Sequence, residues 1–128
     1  MKICVSATSN NLEAQLDPRF GRCPYFVIVD SVTMQFEAVP NAASGATGGA
    51  GIQAAQTIAN KRATVVITGN VGPNAFKALI ASGIEIVTDA SGTVKEVIAQ
   101  YKNGKLQKTS APTVSGHFGM GRGQGERP

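Results

Sequence analysis

The chain has 128 residues, of which 42% are hydrophobic and 16% charged, and its net charge is +4. This length and composition fit one compact domain with a buried core and exclude a wholly disordered chain. Neither a membrane span nor a signal peptide is visible: the longest uncharged segment, residues 38–60, is rich in Gly, Ser, Thr and Asn, and the first residues turn polar at Ser6, so we expect a cytoplasmic protein.

Few residues of the chain can ligate a metal. The cysteines and the histidine are Cys4, Cys23 and His117. A closed zinc site needs four Cys or His ligands and a cubane cluster needs four thiolates, so one chain can build neither. The acids are scattered from Glu13 to Glu126, which argues against a two-metal hydrolase. We therefore expect no catalytic residue and a protein that is not an enzyme.

The positive charge is distributed along the whole chain. The 12 Lys and Arg run from Lys2 to Arg127 without the dense basic run of a dedicated nucleic-acid binder. We expect anionic ligands or partners, but neither nucleic acid nor a membrane.

The first half of the chain predicts strands. A short apolar segment is followed by a polar loop and then by a strong β pattern, whose alternating partner forms a hairpin that ends at Pro40. The predicted strands cover residues 3–7, 25–30 and 34–39.

The second half alternates between helices and strands, with apolar residues at helical spacing and a capping-box pair, Thr93 and Glu96. Residues 105–108 are expected to add a short edge strand. In chain order the pattern predicts a helix at 52–61, a strand at 64–68, a helix from Pro73 to a stop at Gly83, a strand at 84–87 and a helix from Thr93 to Asn103-Gly104.

An antiparallel hairpin followed by helix–strand alternation predicts an α/β protein with a single mixed sheet and helices on both faces. We expect residues 1–108 to form the domain and the glycine-rich residues 109–128 to form a mobile tail. Ligands of such sheets bind beyond the carboxyl ends of the strands. The loops expected there cover residues 10–23, 45–51 and 69–73.

Two glycine-rich loops each lead into a predicted helix. Free backbone amides and the helix dipole favour an anion at such a place, and small residues allow a ligand to approach closely. The alternative is a flexible linker for the first loop and a plain strand-to-helix turn for the second. The candidate binding residues are Gly48, Gly49 and Gly51 in the first loop and Gly69, Asn70 and Gly72 in the second.

The end of the long polar loop combines Arg19 and Arg22 with Cys23. If the guanidiniums lie close to the sulfur, they favour the thiolate form, and a thiolate beside positive charge suits an anionic metal–sulfide species. The alternative is that Cys23 is a small, half-buried hydrophobic residue. Cys4, inside the first strand, is expected in the core.

The glycine-rich tail holds His117 and Met120. An imidazole and a thioether three residues apart could bind one metal together. The alternative is a solvated, disordered tail without a ligand.

Four motifs follow one another along the chain: Asp-Pro-Arg-Phe-Gly-Arg at 17–22, Gly-Gly-Ala-Gly-Ile-Gln-Ala-Ala at 48–55, Ile-Thr-Gly-Asn-Val-Gly-Pro-Asn-Ala-Phe at 67–76 and Gly-His-Phe-Gly-Met-Gly at 116–121. In this order they resemble the dinitrogenase iron–molybdenum cofactor biosynthesis family, which groups NifX-type carriers, the C-terminal region of NifB and small stand-alone proteins. The resemblance extends from Met1 to about Gly121.

The resemblance implies a ribonuclease-H-like fold, with a five-stranded sheet of order 3-2-1-4-5 whose second strand is antiparallel. It implies binding or transfer of iron–sulfur or molybdenum-containing clusters, with cluster donor and acceptor proteins as partners. Nitrogenase carriers commonly have a histidine where this chain has Arg19, so the stand-alone subgroup is the closer match.

The sequence thus predicts a non-catalytic binding or carrier protein for an anionic metal–sulfur cluster or its precursor. The amides of the two glycine loops would hold the cluster, Arg19 and Arg22 would balance its charge, and Cys23, His117 and Met120 are the candidate metal ligands. One alternative is a small-anion or nucleotide-binding regulator that uses the same loops without metal. Another is an interaction module whose tail docks onto a partner enzyme.

Overall fold

The computed structural model describes residues 1–46 and 48–113. Each predicted helix is present, as is every predicted strand except that at 105–108. In chain order the elements are β1 Lys2–Ala7, β2 Tyr25–Asp30, β3 Phe36–Pro40, α1 Ala50–Asn60, β4 Val65–Ile67, α2 Pro73–Ala81, β5 Glu85–Val87 and α3 Val94–Lys102.

Within the described residues, five strands form one sheet of order β3-β2-β1-β4-β5. β2 is antiparallel to β1 and to β3, whereas β4 is parallel to β1 and to β5. The predicted strand order and the antiparallel second strand are therefore confirmed. The carboxyl ends of β1, β4 and β5 lie at the same edge of the sheet, and we call this the carboxyl edge.

Helices cover both faces of the sheet, as predicted. The core between the sheet and α1 and α2 contains Phe26, Val66 and Leu79. The core between the sheet and α3 contains Val65, Ile67 and Ile98. Successive residues of β4 thus face opposite cores, which explains why this strand is apolar throughout.

The prediction of an edge strand at 105–108 is wrong. Only Lys108 pairs with the sheet, through a single antiparallel bridge to Val87. The chain first turns back after α3, where Gly104 has a φ of 72° and the Lys105 amide donates to the Gln100 carbonyl at 2.9 Å. Too few residues then run beside β5 to form a strand.

The segment after Lys108 is bonded to the domain as far as it is described. The Thr109 amide donates to the Ile86 carbonyl at 2.7 Å, and the Thr113 amide donates to the Val71 carbonyl at 2.9 Å. The predicted domain boundary and mobile tail stay predictions, since residues 114–128 lie outside the described part.

Of the helices in the described ranges, none has the length and apolar character needed to cross a membrane.

Candidate functional site

Asp17 and Arg19 form a two-pronged ion pair at the carboxyl edge. Arg19 Nε donates to Asp17 Oδ1 at 3.0 Å, and Nη2 donates to Oδ2 at 2.8 Å. The Asp17 side chain is 4% exposed and the Arg19 side chain 63% exposed. The hydrogen bond from the Arg19 side chain holds the pKa of Asp17 below its usual range. A buried carboxylate therefore fixes an exposed guanidinium in one orientation.

The turn between β4 and α2 packs against Pro18, the residue between Asp17 and Arg19. The Asn70 amide donates to the Pro18 carbonyl at 2.8 Å. A β-carbon on Gly69 would lie 2.5 Å from the Pro18 Cβ. Gly69 is thus required by the packing of its own chain, and its lack of a side chain leaves room for Pro18 rather than for a ligand.

The first turns of α1 and α2 are in direct contact. A β-carbon on Gly51, in the first turn of α1, would lie 2.8 Å from the Ala75 Cβ in the first turn of α2. A β-carbon on Gly21 would lie 3.1 Å from the Gly51 nitrogen. The structure thus brings the arginine loop and both helix starts together, as the sequence predicted, although Gly51 serves helix packing. Gly48 and Gly49, in contrast, have open space beside them.

The three helix starts at this edge are capped differently. α3 has the predicted capping box, and its Val94 and Lys95 amides donate to the carbonyls of Ala14 and Leu12. α1 begins after Gly49, at a φ of 73°, and α2 begins after Gly72; neither has a side-chain cap or an acid in its first turn. Within residues 1–46 and 48–113, two adjacent helix starts thus keep amides without a side-chain acceptor, which is the arrangement that binds anions.

Arg22 and Asn41 shape the loop before α1. Arg22 Nη1 donates to the carbonyls of Ser44 and Ala46. The buried Asn41 side chain donates to the carbonyls of Gly21, at 3.1 Å, and Cys23, at 2.9 Å. Nη1 of the Arg22 guanidinium therefore holds the chain at 44–46, and the predicted role of Arg22 in balancing the charge of a ligand stays a prediction.

Cys23 lies in the core and not on the surface of the site. Its side chain is 0% exposed, and its thiol donates to the Phe20 carbonyl at 3.3 Å. Burial, and then the charge of Asp17, raise the pKa of Cys23 to about 12. The arginines do not favour the thiolate here, since Asp17 occupies the Arg19 guanidinium and desolvation dominates the pKa of Cys23. That Cys23 is a metal ligand stays a prediction. Cys4 is also buried, as predicted.

His117 and Met120, the other predicted ligands, lie outside the described residues. The chain leads toward them from the site itself: Thr113 Oγ1 accepts the Val71 amide at 2.8 Å, in the turn before α2. Among the side chains of residues 1–46 and 48–113, no three His, Cys, Asp or Glu groups come together as a metal site. The described part of the site therefore offers amides and guanidinium groups.

Sequence reasoning missed the residues that support the site. Ser6 Oγ donates to the Asp17 carbonyl at 2.6 Å and shares a 2.7 Å hydrogen bond with Thr68 Oγ1, so the ends of β1 and β4 hold the Asp17 backbone. Asp17 stands two residues before Arg19, a spacing that could have indicated the ion pair. The partners of Asn41 are too distant in sequence for any local signal.

Comparison with known proteins identifies the family of this chain and agrees with its fold. The sequence profile of the dinitrogenase iron-molybdenum cofactor family matches residues 1–104. An uncharacterised protein of Methanocaldococcus jannaschii is 32% identical over 84% of this chain and 91% of its own length. Among solved structures, the apo form of the orange protein from Desulfovibrio gigas is 41% identical, with a TM-score of 0.86 over 88% of this chain and 95% of that one. A candidate NifB protein from Thermotoga is 31% identical, with a TM-score of 0.74 over 84% and 91%. The chain belongs to the dinitrogenase iron–molybdenum cofactor family.

Proposed function

We propose that this protein is a carrier that binds an anionic metal–sulfur cluster, or an anionic precursor such as thiomolybdate, without catalysing its conversion. The observation that supports this function best is the contact between two helix starts without side-chain caps, beside a guanidinium fixed by Asp17. Helix dipoles, free amides and a fixed positive charge all stabilise an anion, and no acid lies in either first turn to compete with it.

The donor set favours a preassembled cargo over a cluster built on the protein. N–H groups bind the sulfide or oxo atoms of a complete anion, whereas assembly on the chain requires several thiolates at one point. Cys4 and Cys23 are both buried. We infer that amides and Arg19 hold the cargo, with Arg22 balancing part of its charge.

Reversible holding is what a carrier needs. The site lies at the surface, since the Arg19 side chain is 63% exposed, and the proposed contacts are hydrogen bonds and ion pairs that a partner protein can replace. We therefore propose cluster donor and acceptor proteins as partners. His117 follows Thr113 by four residues, which span at most about 14 Å, so we propose it as an additional ligand for the cargo.

Anaerobic reconstitution tests the function. The protein is incubated with tetrathiomolybdate, or with iron and sulfide, then desalted, and bound metal is measured by elemental analysis and visible absorption. We expect stoichiometric metal on the unmodified protein and about tenfold weaker binding after Arg19→Gln, because a charge-assisted hydrogen bond is lost.

Lys95→Gln is the matched control. It removes the same charge at the same edge of the sheet, but from α3, whose first amides already have acceptors. Its binding should equal that of the unmodified protein. The carrier proposal is wrong if no metal is retained in any incubation, or if the two variants behave alike.

A small-anion or nucleotide-binding regulator that uses the same loops without metal remains the second candidate function, because amides at helix starts bind phosphate as well as sulfide anions. A thermal-shift screen separates the two. A regulator would be stabilised by nucleotides through mass action, whereas a carrier would be stabilised by thiomolybdate and not by nucleotides.

A further inference from the structure

A cavity of about 460 Å³ opens at the opposite edge of the sheet, where β4 and β5 begin and α2 and α3 end. We call this the amino edge. The volume is that of a small-ligand pocket or of a pocket for one or two large side chains. It lies at the opposite ends of β4 and β5 from the helix starts of the anion site.

More of the cavity wall is apolar than polar. Val65, Ile80 and Ile84 line it, and Ile80 is 47% exposed, which is high for a large apolar side chain. Tyr101 donates its hydroxyl to Glu85 Oε2 at 2.9 Å, so the carboxylate in the wall already has a partner. Filling the cavity with an apolar side chain would remove Ile80 from water without leaving the Tyr101 hydroxyl unpaired.

The surface around the cavity is positively charged. Within the described residues, the cations at this edge outnumber the acids by six to three: the acids are Asp30, Glu85 and Glu37, which pairs with Lys61 at 2.7 Å. Helix dipoles explain cations at the ends of α1 and α3, but not those at the start of β1 or beside β5. The cations are Lys2, Lys61, Arg62, Lys102, Lys105 and Lys108.

We propose that the amino edge is the docking surface for an acidic protein segment that inserts one apolar side chain into this cavity. An apolar pocket with a charged rim is the usual anatomy of a protein interface, and the rim charge selects an acidic partner. A second copy of this chain would present the same positive edge and be repelled. Nucleic acid is disfavoured by the Glu85 carboxylate in the wall. This inference does not depend on the identity of the cargo.

A defined peptide panel tests the proposal. The probes are acetyl-Glu-Glu-Xaa-Glu-Glu-amide peptides with Leu, Phe, Met or Gly at Xaa, titrated into the full ¹⁵N-labelled chain. At least one peptide with a large apolar residue should shift the amides of Ile80, Ile84 and Tyr101. The Gly peptide should bind about tenfold more weakly, because burial of an apolar side chain is lost. Added salt should weaken both peptides.

Charge-reversal substitutions test whether the cations around the cavity contribute to peptide binding. Lys105→Glu combined with Lys108→Glu should weaken the best peptide roughly tenfold. Lys95→Glu, compared with the single substitution Lys105→Glu, makes the same change of net charge in the first turn of α3, away from this edge, and should leave binding unchanged. Ile80→Gln should weaken the apolar peptides and leave the Gly peptide unaffected.

Each of the following results overturns the proposal: no shift at millimolar concentration of any peptide, equal binding of peptides with Gln in place of Glu, or shifts confined to the carboxyl edge. A ten-nucleotide oligothymidylate that shifts the same amides at lower concentration would identify a nucleic-acid surface instead. Shifts of these amides with protein concentration alone would identify self-association.

Discussion

Gly69 packs directly against Pro18, so closely that a β-carbon on Gly69 would lie 2.5 Å from the Pro18 Cβ and 2.6 Å from its Cα. The adjacent Asn70 amide donates to the Pro18 carbonyl at 2.8 Å. This contact joins the loop of the Asp17–Arg19 pair to the turn that starts α2. The position of the guanidinium relative to the helix start therefore depends on the absence of a side chain at Gly69.

Gly69→Ala should lower the free energy of unfolding by about 1–3 kcal/mol, because the new methyl group overlaps with backbone that cannot move aside as a side chain could. Chemical denaturation measures this. Gly48→Ala is the matched control, since nothing lies within 4 Å of its β-carbon position, and it should change stability by less than about 0.5 kcal/mol. Equal effects of the two substitutions would contradict the packing role of Gly69.

Asp17→Asn should lower stability by about 1–3 kcal/mol at neutral pH, because the uncharged amide has only one oxygen and cannot accept both hydrogen bonds from Arg19. The folded-state pKa of Asp17 is lowered, chiefly by Arg19. The ionised Asp17 side chain therefore stabilises the fold above its unfolded-state pKa of about 3.9. This stabilisation is lost as the pH falls through the lower folded-state pKa. The difference in the free energy of unfolding between the unmodified protein and Asp17→Asn should therefore shrink below about pH 4.

Asp89→Asn provides the control for the loss of one carboxylate. Asp89 is exposed and has a φ of 62°, which asparagine also adopts readily. At neutral pH, Asp89→Asn should change the free energy of unfolding by less than about 0.5 kcal/mol. A stability difference for Asp17→Asn that stays constant down to pH 2 would show that the lost ion pair is not its cause.

The predictable parts of this molecule are those whose partners are close in sequence. The capping box of α3 joins residues three apart, and both of its hydrogen bonds are present, at 2.8 and 3.1 Å. Each helix likewise follows from its local apolar pattern. The mixed sheet follows from the hairpin and the helix–strand alternation, whereas its strand order is implied by the family resemblance.

The role of the glycines in the site could not be predicted from the sequence. Sequence indicates that a small residue is needed at Gly51 and Gly69, but not whether a ligand or another segment occupies the space. Ala75 and Pro18 fill it, and they lie 24 and 51 residues away along the chain. Cys23 presents the same difficulty, because burial by distant residues, rather than its neighbouring arginines, sets its pKa.

Gly48→Asp should weaken binding of thiomolybdate by about tenfold, because a carboxylate at the open start of α1 competes with an anion for the same amides. Gly48→Asn, of nearly equal size, is the control and should bind within about twofold of the unmodified protein. Metal analysis after desalting measures both. Equal retention by the Asp and Asn variants would place the cargo away from α1.

The thiols should be unreactive in the native state. Burial raises the pKa of Cys23 to about 12 and that of Cys4 well above its usual range, so a thiol reagent at pH 8 should label neither until guanidinium unfolds the chain. Since the folded pKa of Cys23 exceeds the unfolded value of about 8.5, its contribution to stability is complete below pH 8.5 and is lost as pH rises toward 12. Cys23→Ala should therefore reduce the alkaline loss of stability while retaining bound metal. Rapid labelling of native Cys23, or loss of metal from a folded Cys23→Ala variant, would restore Cys23 as a cluster ligand.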